Sequence, residues 1–545
     1  MDYDTPLRIC LVDGPFRPFL ASRGHEVLHL APPQGVHDIA ALLAEHGFAP
    51  DILLHTETLG RKVILRGVEN LPCQTAFWSV DSHVNSHWQV HYAALFDAAF
   101  TTQKHLASLF ARGGREAFWL PWFGTARPFR SFSGRGTEVG FVGRLGEGRP
   151  VREQFATLLR RRFDARLASE LSFAAMQDFY DDTRLAPNEA LFGELNFRLF
   201  EAVSSGSLCF TPRTPGLDEL FCDGREVVGY DTGWDLVDRM RFYQARPDLA
   251  QSLARAGHAA LAARHLAEHR AQAFCTAMTE APGRARGDAA RMSMALCLLG
   301  LCEAGLFGGL IPEVEAELAR LSTDPAAAGG LLRLWRLGGR RDRMLTLCAG
   351  LLAKHIADPL LLATAAMAAL SAGALPLARA LARAGIRVPS SAGAGPGGGP
   401  RRAVDTPRDI CLYAAGIFRA AGRMVRPGLV FEADRLVPQT VVEALIVAHT
   451  LDERDTGIIV ALDTALEPFR GTEQTRLGIL SALSLRSGKN WRWPLRSALV
   501  NARMFRLDEA EQELALARTL AQEAGEGRRF AAMRDRLFPE AAPSP

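Results

Sequence analysis

One stretch, Asn196 to Phe221 (NFRLFEAVSSGSLCFTPRTPGLDELF), restricts the fold of this chain more than any other. Phe197, Phe200 and Val203 recur at helical spacing, Gly206 sits where a left-handed cap ends a helix, and Leu208–Phe210 is a short run of buried-strand type. A helix feeding directly into a buried strand belongs to an α/β fold with a parallel sheet. The strand's carboxyl end opens into TPRTPG, and open parallel sheets bind ligands outside such ends. A helix starting after Gly216 is expected to aim its first N–H groups at an anion there, with Glu201 of the preceding helix close by.

The same alternation runs through the first half of the chain. Leu7–Val12, Glu26–Leu30, Ile52–His55, Thr75–Ser79 and Ala98–Thr101 are expected strands, with Ile39–His46 and Lys104–Ala111 as helices between them. Trp119–Trp122 leads into a Gly-, Ser- and Arg-rich stretch, 124–137, read as an interdomain linker. A second alternation follows, with a strand at Glu138–Val142, a helix at Arg152–Arg162, the 196–230 series and continuous helix from Asp235 to Thr279. Past residue 285 the strand signal stops, and Ala- and Leu-rich helices separated by Gly or Asp-Pro turns take over. ALSAGALPLARALARAG and NARMFRLDEAEQELALARTLAQEAG each read as a small-residue helix, a turn and an Ala/Leu helix, a helical-repeat-like pattern of irregular period. SSAGAGPGGGP cannot bury apolar area and reads as a flexible linker. The expected domains are therefore 1–125, 136–280, 285–388 and 401–538, with the linker at 389–400 and a disordered tail after Phe538.

Composition narrows the partners. With 63 basic against 60 acidic residues the chain has no charge excess to hold a nucleic acid. Lysine occurs only at positions 62, 104, 354 and 489, an arginine bias that reads as genome composition more than phosphate recognition. Nine cysteines without a C-x-x-C pair argue against a zinc ribbon and fit a reducing compartment. MDYDTPLRICLVDG is acidic with a short apolar run, a first strand and not a signal peptide. Ala295–Ile311 contains Glu303 and Pro359–Ala378 is mostly Ala, so both read as buried helix hairpins and not membrane spans. The expectation is a cytoplasmic protein with no transmembrane segment.

The pattern N-x-R-x-F-E-A-x-x-x-G followed by R-T-P-G-L-x-E-L-F is present as Asn196, Arg198, Phe200, Glu201, Ala202 and Gly206, then Arg213 to Phe221. It resembles the nucleotide-sugar site of two-Rossmann-domain (GT-B) glycosyltransferases, most nearly the CgeB-like (spore maturation protein) branch. The likeness continues through DGREVVGYDT to His269 and, more loosely, upstream to about residue 5, and leaves the second half of the chain uncovered. It implies an α/β GT-B-like fold, two Rossmann-like domains facing a cleft, followed here by an all-α helical region. It also implies transfer of a sugar from a nucleotide-diphosphate donor to a glycan, protein or other acceptor, with no cofactor beyond the donor.

On that resemblance Glu201 accepts hydrogen bonds from the donor ribose; the bland alternative is a solvated helix Glu. Family 4 glycosyltransferases place another Glu eight residues earlier, where this chain has Gly193 with Glu194 beside it. Arg144, directly after a strand, and Arg149 are candidates to stabilise the leaving diphosphate without a metal, against the alternative of an Arg-rich surface loop. Arg213, Thr214 and the Gly216 backbone are further phosphate candidates, although turn duty explains the loop equally. In FWSVDSHVNSHWQVHYAALFD, Asp81 and His83 follow a strand and are candidate general bases toward an acceptor hydroxyl. His83, His87 and His91 share a helical face that could hold zinc, but no correctly spaced carboxylate or Cys completes the set, and a polar or interface face reads better. Asp13-Gly14 is another candidate, or an ordinary βα turn. Gly140, Gly143, Gly146 and Gly148 lack G-x-G-x-x-G spacing, which disfavours an oxidoreductase. The competing reading is an inactive glycosyltransferase-like scaffold; in either case the carboxyl-terminal helices are expected to recruit a protein partner or the acceptor.

Overall fold

The computed structural model of the chain describes residues 5–58, 60–146, 148–387 and 404–538, so the linker expected at 389–400 and the tail after Phe538 lie outside the described residues. The chain forms two compact units that do not follow its order. The first comprises Met1–Thr101, Leu106–Phe118 and Ala277–Leu466; the second comprises Thr102–His105, Trp119–Thr276 and Glu467–Pro545.

The strands of the amino-terminal sheet region are β1 (Arg8–Val12), β2 (Glu26–Leu30), β3 (Gly35–Asp38), β4 (Ile52–Thr56), β5 (Val63–Arg66), β6 (Gln74–Ser79), β7 (Ala98–Thr101) and β8 (Phe118–Trp119). The main sheet runs β2-β1-β4-β6-β7-β8, and the pairs from β2 to β7 are parallel. β3 and β5 form a separate parallel pair. All five expected strands are present within a residue of their expected limits; β3 and β5, four residues each, are too short for periodicity to separate them from turns. Near-continuous apolar runs such as Ile9–Val12 and Ile52–Leu54 are buried on both faces, as a helix-covered parallel sheet requires.

The helices after residue 285 share the core of this sheet. Trp88, Val90 and Tyr92 of helix Ser82–Tyr92 pack in one apolar cluster with Leu296, Leu298 and Leu299 of helix Gly287–Glu303 and Leu331 of helix Pro325–Leu337. Gly300 permits the close approach, since a Cβ there would lie 3.0 Å from Trp88 Cβ. Glu303 ends its helix between two cations, accepting from Arg333 at 2.9 and 2.6 Å and from Arg426 at 2.8 Å. Arg426 also donates to Glu443 at 2.7 Å. Such pairing is the condition for burying a carboxylate. Among the described residues no helix is long and apolar enough to cross a membrane.

The second unit is built on β9 (Thr137–Val142), β10 (Arg166–Ala168), β11 (Thr183–Pro187), β12 (Leu208–Pro212) and β13 (Val228–Tyr230), all parallel in the order β10-β9-β11-β12-β13. The expected helical run after Asp235 is three helices, Gly233–Gln244, Pro247–Arg264 and Ala267–Thr279. The last helices of the chain complete this core. Phe505, between helices Arg492–Arg503 and Leu507–Glu523, lies 4.7 Å from the Phe155 ring and 6.3 Å from Tyr230. The fold class is the expected one, two Rossmann-like α/β sheets with an all-α region, and the helices of that region divide between the two units. All nine cysteines are free thiols, eight of them buried.

Candidate active site

In the second unit the chain passes from β9 outward to β10 and then back across to β11, so the strand order reverses between β9 and β11. That reversal opens a crevice at the strands' carboxyl ends, the general place for a ligand in an open α/β sheet. Arg198, in the first turn of helix Phe197–Ser204, spans it. Its Nε donates to Val142 O at 2.7 Å, and Nη1 donates to Asn188 Oδ1 at 2.8 Å and to Glu189 O at 3.1 Å. The guanidinium also stands 4.7 Å over the Phe141 ring. Asn196 caps the same helix by accepting from Leu199 N, and its Nδ2 donates to Glu189 O at 2.8 Å. The N-x-R part of the motif therefore clamps the helix start to the ends of β9 and β11.

Glu201 lies one turn further along. It is half-buried, and its carboxylate makes no hydrogen bond or ion pair among the described residues. Burial pushes its carboxyl up to about 7, with Arg198 opposing. Arg144 and Arg149 follow β9. Arg144 is exposed and Arg149 half-buried, and neither has a hydrogen-bond or ion-pair partner among the described residues. Burial and then the neighbouring Arg152 and Arg144 lower Arg149 from its ordinary value. Arg152, in contrast, is spent on buried Glu189 at 2.8 Å, whose Oε1 remains buried without a partner. Arg149 thus feels three other guanidiniums, Arg152, Arg144 and Arg198, against the carboxylate of Glu189.

Gly193 has φ +70, and a Cβ on it would fall 2.9 Å from Arg470 Cγ, so a Glu at this position is barred sterically and by backbone conformation. Glu194 stands next to it, accepting from Phe192 N at 2.8 Å, and burial followed by repulsion from Glu189 raises it to about 7.

The TPRTPG loop differs from expectation. Arg213 is exposed and held by Asp223 at 2.9 Å, Asp231 at 2.7 Å and Asp235 at 3.3 Å, so its charge is already matched. Thr214 Oγ1 is buried without a partner. Gly216 has φ +90 and packs under Trp119, whose ring a Cβ would approach to 3.1 Å. The helix expected to present its amino terminus to an anion is a single turn, Leu217–Leu220. Its first N–H is given to Thr214 O at 3.1 Å, and Asp218 and Glu219 occupy the first turn. Two carboxylates there repel an anion, so the helix-terminus expectation is corrected.

In the first unit the strand order likewise reverses between β1 and β4. Asp13 (φ 61) and Gly14 (φ 90) turn the chain in the left-handed region at the end of β1. Glu57, buried at the end of β4, was not singled out by sequence reasoning, yet four groups converge on it. Its Oε2 accepts from Val80 N at 3.0 Å and Asp81 N at 2.8 Å, and its Oε1 from Asn85 Nδ2 at 2.6 Å and Lys62 Nζ at 3.4 Å. Asp81 starts helix Ser82–Tyr92 without capping it, and its carboxylate has no partner among the described residues. Burial, then repulsion from Glu57, raises Asp81 to about 7. His83 is half-buried two residues on. His87 and His91 face the helical region: burial and then Arg426 lower His87 to about 4, and burial and then Arg333 lower His91 to about 3. The three histidines thus form a packed polar face, and among the described residues no group of His, Cys, Asp and Glu could hold a metal ion. The signal for Glu57 was its place at a strand's carboxyl end in ILLHTETLGRK, the criterion that had singled out Asp81.

Residues 144–276 match the glycosyl transferase-like family model. The match begins at Arg144, takes in Glu201 and the TPRTPG loop, and covers β10 to β13 of the second sheet. No curated protein matches the chain. Among solved structures, HepE of Anabaena in complex with UDP and glucose is similar at 11% identity over 50% of this chain and 100% of its own, with a TM-score of 0.36. A glycosyltransferase of Rickettsia africae is similar at 8% identity, over 51% of this chain and 98% of its own, TM-score 0.38. The sucrose-phosphate synthase of Thermosynechococcus elongatus is similar at 11%, over 50% and 98%, TM-score 0.36. The strand orders and registers described above define the fold.

Proposed function

We propose that the protein is a CgeB-like, metal-independent glycosyltransferase that moves a sugar from a nucleoside diphosphate donor to a hydroxyl of a glycan, protein or other cellular acceptor. The observation that carries this reading is that, inside the matched segment, Arg144 and Arg149 follow β9 and Glu201 stands on the helix that Arg198 ties to the end of β9, none of the three side chains having a hydrogen-bond or ion-pair partner among the described residues. A ribose diol donates to a carboxylate, and a diphosphate needs cations: Glu201 suits the first, Arg144 and Arg149 the second. Glu194 is assigned the donor-sugar side that Gly193 leaves vacant, and Thr214, whose Oγ1 is buried without a partner among the described residues, a supporting place beside the phosphates. Asp81, raised to about 7, is assigned as general base toward the acceptor, with His83 as its neighbour. No cofactor is assigned, because the arginines carry the charge a metal would otherwise neutralise. The carboxyl-terminal helices are assigned a second duty in recruiting the acceptor or a protein partner.

Calorimetric titration with UDP, GDP and dTDP tests the donor assignment. One of them should bind, and Glu201→Ala should weaken it about tenfold, the worth of one charge-assisted hydrogen-bonded contact. Failure of all three nucleotides to bind the folded protein would sink the reading.

A further inference from the structure

Three helices near the carboxyl end of the chain, Glu473–Arg486, Arg492–Arg503 and Leu507–Glu523, follow one another, and the middle one packs against both others. Ser481 and Leu485 on the first, Ser497 and Asn501 on the second, and Glu513 and Leu516 on the third stand at helical spacing and line a common groove of about 560 Å³. That volume lies within the roughly 300–1,000 Å³ of ordinary ligand sites. The floor is polar. Ser497 is 4% and Asn501 5% exposed, and Asn501 Oδ1 is buried without a hydrogen-bond partner. A buried amide oxygen that the fold leaves unsatisfied costs stability until a ligand brings the missing donor. The rims are apolar, with Leu485 85% and Leu516 49% exposed. Between floor and rim, Glu513 is half-buried, has no hydrogen-bond or ion-pair partner among the described residues, and is raised by burial from its ordinary value. Arg506 and Glu509, which also line the groove, neutralise each other at 3.1 and 3.0 Å, so Glu513 is the unmatched charge.

We propose that this groove docks an extended segment of a partner protein that carries a lysine or arginine beside an apolar side chain. The free atoms choose among partners. Asn501 Oδ1 and the Glu513 carboxylate both accept, so the ligand must donate, and because the unmatched charge is negative the donor that meets Glu513 is a cation. A peptide N–H supplies the donor that Asn501 lacks, and an apolar side chain takes the exposed rims of Leu485 and Leu516 out of water. A glycan brings hydroxyl donors but leaves the leucines wet. An acidic peptide meets Glu513 while Arg506 is already paired. The groove gives the recruiting duty proposed for the carboxyl-terminal helices a place and a partner chemistry, and rests on that reading; it is independent of the donor assignment.

Fluorescence anisotropy on the full chain tests the groove, with labelled pools of short peptides randomised except for a central Leu-Lys-Leu, Leu-Glu-Leu or Ser-Lys-Ser. The Leu-Lys-Leu pool should bind about tenfold more tightly than either other pool, and Glu513→Gln, Asn501→Ala and Leu485→Ala should each weaken it about fivefold or more. Melting curves verify folding, and Leu485→Ala, a change at a side chain 85% exposed, decides if Asn501→Ala does not fold. UDP affinity should be the same in all three variants, so a failed donor assignment shows separately as absence of UDP binding by the parent protein. The proposal is overturned if the pools bind alike, if the glutamate pool binds as tightly as the lysine pool, if maltohexaose displaces the peptides, or if the folded variants keep full binding. It is equally overturned if sedimentation shows a dimer that Leu485→Ala dissociates, since a second copy of the chain then covers the groove.

Discussion

Two carboxyls, Asp81 and Glu201, are both raised to about 7, and their roles separate by readout. A general base acts deprotonated, so kcat should climb with pH up to about 7 and level above it. Asp81→Asn should cut kcat by about a hundredfold or more with nucleotide affinity unchanged, measured by initial rates beside titrations. Glu201 should appear in affinity instead. The ionised form is the stronger acceptor for a diol, so nucleotide binding should tighten as pH rises through about 7, and Glu201→Gln should flatten that dependence. Stability moves the other way. A carboxyl raised in the folded state holds its proton where the unfolded chain has lost it, so both groups reduce stability as pH climbs from the ordinary carboxylate range to about 7. Candidate positions were partly legible: Glu201 and Arg144 stood out because motif and strand end coincide. Glu57 did not, because its importance lies in four donors brought from β6, the following helix and its own loop.

At the scale of elements, the five strands expected in the amino-terminal half and β9 were legible to within a residue because buried parallel strands are written as continuous apolar runs, whereas β3, β5, β10 and β11 were not expected. Helix lengths after turns were not. The one-turn helix Leu217–Leu220 followed a sequence that suggested a longer one, and its amino terminus is occupied by its own loop. Gly193 is an element-scale constraint with a direct test. Gly193→Glu should lower stability by about 1–3 kcal/mol and not improve donor binding, because the left-handed backbone and Arg470 both oppose the side chain. Thermal melting with nucleotide titration checks both halves of that expectation.

The whole molecule divides its helices after residue 285 between the two units, so the carboxyl-terminal half is part of both. Phe505 closes the core of the second sheet against Phe155 and Tyr230, and Phe505→Ala should cost about 3–5 kcal/mol, lowering the Tm. Arg426 is the shared partner of Glu303 and Glu443, and Arg426→Ala should destabilise the first unit by about 3–5 kcal/mol in denaturant unfolding, since it leaves buried carboxylates short of a cation. Acid should weaken the same unit. His87 and His91 are lowered from 6.5 to about 4 and about 3, so the stability of keeping them neutral is present above pH 6.5 and drains as pH falls below it.

The sequence alone determined the two alternations of strand and helix, the helical remainder, and the motif that sets Asn196, Arg198 and Glu201 at the start of one helix. These are local properties, written in periodicity and in the residue types that cap helices and end strands. Tertiary structure alone decided which charges are free. Arg213 looked as available as Arg144 until three carboxylates closed on it, and His87 and His91 met arginines from far along the chain. It also decided that the helices after residue 285 divide between the two units, with Phe505 and Leu507 joining the core of the second sheet. The physical reason is the same in each case: burial and electrostatic pairing depend on distances in space, which spacing along the chain does not record.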